Sequence, residues 1–286
     1  MRISELSNKK TTFSFEIFPP KRTAPIDTVY TMLDEVKDIK PDFISVTYGA
    51  GGSENSKLTF EIASAIKNNY GIESIAHMPC IGLKKHEVLA LLDDLKSKNI
   101  ENILALRGDM PADGDIPKGD FDHANELITF IKENGDFDIA AACYPEKHPE
   151  AADVVTDIRN LKRKVDSGAD YLLSQLFFDN NYFYRFRERC TLAGIDVPIE
   201  AGIMPVVNKR QIERMVSLCG ASLPEKFATM MMRYEDNPEA IRDAGIAYAV
   251  NQIIDLISNG VDGIHLYIMN NAYVAKKIYE AFFRLL

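Results

Sequence analysis

Apolar residues in this chain come in short blocks, and between the blocks they recur at helical spacing. Ile103 to Leu106 is the plainest block, a run without alternation that reads as a strand covered on both faces. Seven further segments read as strands: Thr12–Phe18, closed by Pro19-Pro20, then Phe43–Tyr48, Ser74–Met78, Asp138–Tyr144, Tyr171–Phe178, Pro198–Met204 and Gly263–Met269. Helical periodicity fills the intervals at 27–40, 55–69, 84–98, 122–134, 152–167 and 181–193. The seventh interval is longer, with helical stretches over 208–219 and 224–234. A third helix there opens at Asn237-Pro238-Glu239, an N-cap, a first-turn proline and an acid at the positive end of the helix. It runs to about Ser258, and a last helix carries the chain to Leu286. Strand and helix alternating through eight units predict a (β/α)8 barrel with extra helices between strands seven and eight. A doubly wound open sheet is the alternative. No composition break divides the sequence, so residues 1–286 are read as a single domain.

Composition narrows the function classes. An apolar content of 46% supplies a full core without disulfides or a metal. The net charge of -9 argues against nucleic acid or an anionic membrane as partner, though local basic clusters still allow a small anionic ligand. Cys80, Cys143, Cys190 and Cys219 are far apart and form no CxxC, so no disulfide framework or zinc site is suggested. Met1 to Thr12 is polar, and no apolar run approaches the ~18 residues of a membrane helix. The expectation is a soluble, cytoplasmic protein, with a homo-oligomer as the expected assembly.

In a barrel the chemistry sits at the carboxyl ends of the strands. Those ends read Glu16, Thr47-Tyr48, His77, Arg107-Gly108-Asp109, Tyr144, Gln175, Met204-Pro205 and Tyr267, a density of polar groups that favours an enzyme. Glu16 lies between Phe15 and Ile17; an acid desolvated there has a raised pKa and suits general-acid work. Its alternative is an acid reaching solvent near the prolines. Arg107 and Asp109 share strand parity and are read as projecting to one side, as a site or as a surface ion pair. Gly49-Ala50-Gly51-Gly52-Ser53 follows a strand and is either a phosphate cradle or a plain turn, since it lacks the third glycine of GxGxxG and the Lys-Ser/Thr of a P-loop. His77 offers a ligand or a hydrogen-bonded core histidine. Tyr144-Pro-Glu-Lys-His148-Pro149 is a rigid loop, followed on one helix face by Asp157, Asn160, Arg163 and Lys164. The two cations would neutralise a pyrophosphate or simply form a solvated face. Gln175 is an uncharged donor and acceptor in an apolar strand, buried at a cost unless used. Gln211 follows Asn208 at the spacing of a capping box.

Six segments in order resemble the 5,10-methylenetetrahydrofolate reductase family: Phe15-Glu16-x-Phe18-Pro19-Pro20, Ser45–Gly49, Leu106–Asp109, Tyr144-Pro-Glu-x-His148-Pro-Glu-Ala151, Asn160–Asp166 with Gly168-Ala169, and Gln175-x-Phe-Phe-Asp179. The resemblance covers nearly the whole chain and matches the short bacterial form, the catalytic barrel alone. It implies a flavoprotein of one-carbon and methionine metabolism that binds FAD, takes electrons from NAD(P)H and passes them to the folate in ping-pong fashion. It implies that Glu16 is the general acid and Asp109 a second catalytic acid beside flavin and folate. Tyr48, Ala50, His77, Arg107, Gly108, Asp109, Ala124, Tyr144, His148, Ala151, Asp157, Asn160, Arg163 and Lys164 then match the FAD lining. Thr47, Asp109, Gln175 and Gln211 match substrate contacts.

Two positions depart from the family pattern: Asn271 stands where an arginine is common, and Met215 where a phenylalanine stacks on substrate. Both fall on the folate and nicotinamide side. Two other readings therefore stay open, the same flavoprotein reduced by a partner protein and a pterin-binding barrel methyltransferase without flavin.

Overall fold

In the computed structural model the described residues are 1–7, 9–20, 24–48, 53–109, 118–208, 216 and 219–286. Eight parallel strands close into a barrel in chain order, the last pairing with the first. They are β1 (Thr12–Ile17), β2 (Phe43–Val46), β3 (Glu73–Pro79), β4 (Asn102–Leu106), β5 (Asp138–Cys143), β6 (Tyr171–Ser174), β7 (Ile199–Ile203) and β8 (Gly263–Tyr267). The expected (β/α)8 barrel is therefore the architecture, and the open sheet is excluded by the β8–β1 ladder.

Strand alternation decides which side chains reach the barrel axis. On β1, Phe13, Phe15 and Ile17 turn outward into the main core against the helices, which leaves Thr12, Ser14 and Glu16 to the interior. On β4, Ile103 and Ala105 join that outer core. Leu104 and Leu106 join an inner cluster with Ile3, Phe43, Ile75, Ala140, Tyr171 and Leu173. The apolar block read from the sequence is thus covered on both faces, as expected of a strand with helices outside and packed side chains within.

The inner cluster is stoppered at the amino ends of the strands by a helix the sequence reading did not foresee, α1 (Ile3–Ser7). Ile3 is fully buried there. The Ile3 amide donates to Asn102 Oδ1 (3.2 Å), the Ser4 amide to Asp138 Oδ2 (2.9 Å) and the Ser7 hydroxyl to Glu200 Oε1 (3.0 Å). One turn of helix is too short to carry a periodic apolar stripe, so only the finished barrel makes it legible.

The outer helices that bear on the site are α2 (Asp27–Val36), α3 (Ser53–Tyr70), α4 (Lys85–Ser97), α5 (Ala124–Asn134), α6 (Val154–Asp166) and α7 (Asn180–Leu192). After β7 come α8 (Glu225–Tyr234) and α9 (Pro238–Ser258), and α10 (Ala272–Phe282) closes the barrel. Asn237 caps α9 as read from the sequence, its Oδ1 accepting from the Glu239 and Ala240 amides. Strand β6 is shorter than predicted. It stops at Ser174 because α9 claims the carbonyls that would extend the ladder: Gln252 donates to Phe177 O (3.2 Å) and Tyr248 to Phe178 O (2.6 Å). Phe178 then stacks on Phe227 of α8, within a second apolar cluster built from Leu176, Met204, Val206, Met231 and Ile241.

Candidate active site

Glu16 is the last inward position of β1, in register with Ser45 of β2 and Tyr267 of β8. Its side chain is 12% exposed, and desolvation pushes its pKa up to about 8. His77, two strands away on β3, is 6% exposed and brings Nε2 to 3.6 Å from Glu16 Oε2. Burial pushes the imidazole down to about 3, so at neutral pH a protonated acid faces a neutral ring and the contact is not an ion pair. His77 Nε2 has no hydrogen-bond partner among the described residues, and neither does Thr47 Oγ1 from the end of β2. The prediction of a desolvated acid holds. The expectation of a hydrogen-bonded core histidine at 77 does not hold for Nε2, because no fixed donor or acceptor reaches it.

Below these groups the polar side chains are committed to one another. His265 of β8 contacts Ser14 Oγ through Nδ1 (2.7 Å) and Ser45 Oγ through Nε2 (3.3 Å). Tyr267 donates to Ser174 O (2.6 Å) across space left by Gly202. A Cβ at Gly202 would lie 2.2 Å from Ser174 O and 2.8 Å from the Tyr267 ring.

The other half of the mouth carries charges of both signs. Strand β4 ends at Leu106, so alternation does not govern Arg107 and Asp109, and Gly108 between them takes a left-handed φ of 94°. The shared-parity reading is corrected accordingly. Arg107 makes a two-pronged ion pair with Glu150 (2.6 and 2.7 Å), not with Asp109, which is exposed. Glu150 was not singled out from the sequence. Tyr144 packs edge-on against His148 with ring centres 4.5 Å apart. The His148 amide donates to Asp157 Oδ2 (3.1 Å), and the Ala151 amide to His148 O (3.0 Å). On α6, Lys164 reaches inward to donate to Ala142 O (2.8 Å), and burial lowers its pKa. Arg163 is exposed and bonds Asn160 Oδ1 (3.2 Å). Ala124 is the first residue of α5 and is buried. The structure thus brings Tyr144, His148, Ala151 and Asp157 together, with Arg107 and Lys164 near them, while Asn160 and Arg163 pair with each other on the exposed side of α6; Glu16 and His77 meet between β1 and β3.

Gln175 lies just past β6, its Oε1 accepting from the Leu176 amide (2.9 Å), which leaves its amide nitrogen as the donor. Tyr48 follows β2 and is half-buried. Ala50 with its flanking glycines, Gln211 and Met215 lie outside the described residues. Asn271 is the N-cap of α10, accepting from the Val274 amide (3.2 Å). Its neighbour Asn270 was missed. With φ 57° it turns back to clamp Phe18, accepting from its amide and donating to its carbonyl at 2.8 Å each. A left-handed asparagine after a strand was the available signal.

The residue-level picture agrees with comparison to known proteins. The family model described as methylenetetrahydrofolate reductase matches residues 2–282. The chain is 38% identical over 265 residues to 5,10-methylenetetrahydrofolate reductase of Escherichia coli (strain K12), covering 93% of this chain and 88% of that one. It is 35% identical over 275 residues to methylenetetrahydrofolate reductase (NADH) 1 of Arabidopsis thaliana, covering 91% of this chain and 46% of that one. A solved structure titled as an uncharacterized protein from Clostridium thermocellum that binds two copies of 5-methyl-5,6,7,8-tetrahydrofolic acid superposes with a TM-score of 0.65 over 97% of this chain and 98% of that one; at 12% identity it speaks for the fold alone. By the family match and by identity over nearly its whole length, the chain belongs to the methylenetetrahydrofolate reductase family.

Proposed function

We propose that this protein reduces 5,10-methylenetetrahydrofolate to 5-methyltetrahydrofolate in a single catalytic barrel spanning 1–286, with FAD as resident cofactor and NAD(P)H as electron donor. The observation that carries the reading is Glu16, a carboxyl buried at the barrel mouth and held protonated at neutral pH. Binding alone has little use for such a group, whereas opening the imidazolidine ring of the folate needs a proton delivered to its nitrogen.

The residues around Tyr144 and His148 and along α6 suit FAD. Arg107, Arg163 and Lys164, with Asn160, would supply donors to a pyrophosphate, for which Arg107 would exchange Glu150. Tyr144 and His148 supply an aromatic edge, Asp157 an acceptor for hydroxyls, and Gly108 close access to the main chain. Tyr48, Ala50, His77, Ala124 and Ala151 complete the lining. Bound FAD supplies the hydride relay from donor to folate. Glu16 gives its proton to the folate nitrogen and is left as carboxylate. Asp109 sets a negative charge near the cationic folate iminium and favours it. Thr47 and Gln175 offer polar groups without a partner among the described residues to nicotinamide or folate, and Gln211 matches a folate contact by sequence.

The name of the plant relative specifies NADH, which makes NADH the first donor to try. In an anaerobic titration of the purified protein, NADH bleaches a bound-flavin spectrum and methylenetetrahydrofolate restores it. A flavin spectrum that NADH and NADPH both leave unchanged moves the donor to a partner protein. Absence of flavin from protein reconstituted with FAD contradicts the reading.

A further inference from the structure

We propose that His77 is a positioning residue for Glu16: its Nε2–H donates to Glu16 Oε2, so that the acid's proton sits on Oε1 and faces the substrate. This deepens the proposed function and rests on Glu16 being its general acid.

The argument is one of elimination around a buried carboxyl. From β1 and β2, Ser14 and Ser45 are engaged by the two nitrogens of His265, and from β8 that same histidine is thereby fixed. Tyr267 spends its hydroxyl on Ser174 O. Cys219 and Asp109 bear on the mouth electrostatically, Cys219 directly on Glu16, and Tyr144 bears on Tyr267; none of these is hydrogen-bonded to Glu16. At the carboxyl ends of β1 to β3 two buried polar atoms have no partner among the described residues, Thr47 Oγ1 and His77 Nε2, and of these it is Nε2 that stands 3.6 Å from the carboxyl. Ring rotation of a few degrees, or a small shift of the carboxyl, brings that pair to hydrogen-bond distance.

Chemistry assigns the direction. Once Glu16 has handed its proton to the folate nitrogen, a bare carboxylate remains in a pocket where desolvation is costly. A donor aimed at it steadies that charge, and an imidazole kept neutral by burial cannot compete for the proton. An Nε2–H on one carboxyl oxygen also forces the acid proton onto the other, which is the oxygen a substrate must meet. Histidine at this place therefore orients the acid in both of its states.

The test compares His77→Leu and His77→Gln with wild type and Glu16→Gln, each reconstituted with FAD and checked for flavin content. Leucine keeps the volume and the dryness of the site but removes the donor; glutamine returns an N–H to the same reach. Measured on the flavin-loaded fraction, His77→Leu slows the folate half-reaction about 10- to 100-fold more than it slows reduction by NADH. The pH at which the folate half-reaction falls off rises by about one unit, because the carboxylate has lost a hydrogen bond. The C=O stretch of the protonated Glu16 carboxyl, isolated by infrared difference against Glu16→Gln, persists to correspondingly higher pH. His77→Gln restores both the rate and the position of the pH limb. A His77→Leu enzyme with wild-type folate rate and pH limb overturns the assignment, as does a His77→Gln enzyme impaired as much as the leucine variant. Retention of the folate half-reaction in Glu16→Gln would instead overturn the functional reading beneath it.

Discussion

Glu16 shows what a functional residue costs. Its folded pKa, about 8, lies above the ordinary 4.5, so the native state binds a proton that the unfolded chain has released. A raised carboxyl pKa contributes stability that is complete below pH 4.5 and is lost progressively as pH rises through about 8. Glu16→Gln is accordingly expected to melt near wild type at pH 4.5 and to exceed it by about 2–4 kcal/mol at pH 9. Thermal melts of the flavin-free proteins at the two pH values check this; equal stability at both would mean that Glu16 is solvated. Burial of this acid was legible from Phe15 and Ile17 alone. Its approach to His77 was not, because the two residues are 61 positions apart in the sequence and meet only when strands β1 to β3 curve into the barrel wall. Glu150 was hidden for the same reason, since its partner Arg107 sits on the preceding strand end.

At the scale of elements, the strands were readable and their ends were not. The strand pattern named Glu16, Thr47 and His77 as strand-end positions, but the strands were carried too far at β4 and β6. At β4 a left-handed Gly108 resets the direction of Arg107 and Asp109. At β6 the carbonyls of Phe177 and Phe178 go to α9. Strand ends are where a ladder competes with loop chemistry, and that competition is settled by distant residues such as Gln252. Two substitutions probe these junctions. Asn270→Ala removes both bonds to Phe18, directly after the strand that carries Glu16, and is expected to cost about 1–3 kcal/mol of stability in denaturant unfolding, with a slower folate half-reaction. Gly202→Ala drives a methyl into Ser174 O and the Tyr267 ring and is expected to cost about 2–4 kcal/mol, with loss of the Tyr267 hydrogen bond. An alanine at 202 with wild-type melting would show that the backbone yields there freely.

Across the whole molecule the barrel has a chemical polarity. The carboxyl pole gathers the site. The amino pole is sealed by α1 over a polar layer in which Glu200 accepts from Thr12 and Ser7 while its Oε2 has no partner among the described residues. Burial raises Glu200 to about 7, so its stabilising proton is held fully below pH 4.5 and given up through pH 7. Glu200→Gln keeps both hydrogen bonds and removes the titration, so it is expected to raise stability by about 1–3 kcal/mol at pH 8.5 and to change little at pH 4.5. Activity in that variant stays near wild type, because the residue lies at the pole away from the site. No described helix is long and apolar enough to cross a membrane.

The account turns on Glu16 acting in the folate half-reaction alone, and pre-steady-state mixing of Glu16→Gln tests this most directly. Oxidised variant mixed anaerobically with NADH is expected to bleach at close to the wild-type rate. The reduced variant mixed with methylenetetrahydrofolate is expected to reoxidise at least about 100-fold more slowly than wild type. Reoxidation at the wild-type rate, or an equal loss in both half-reactions, would contradict the assignment of Glu16 as the acid that opens the folate ring.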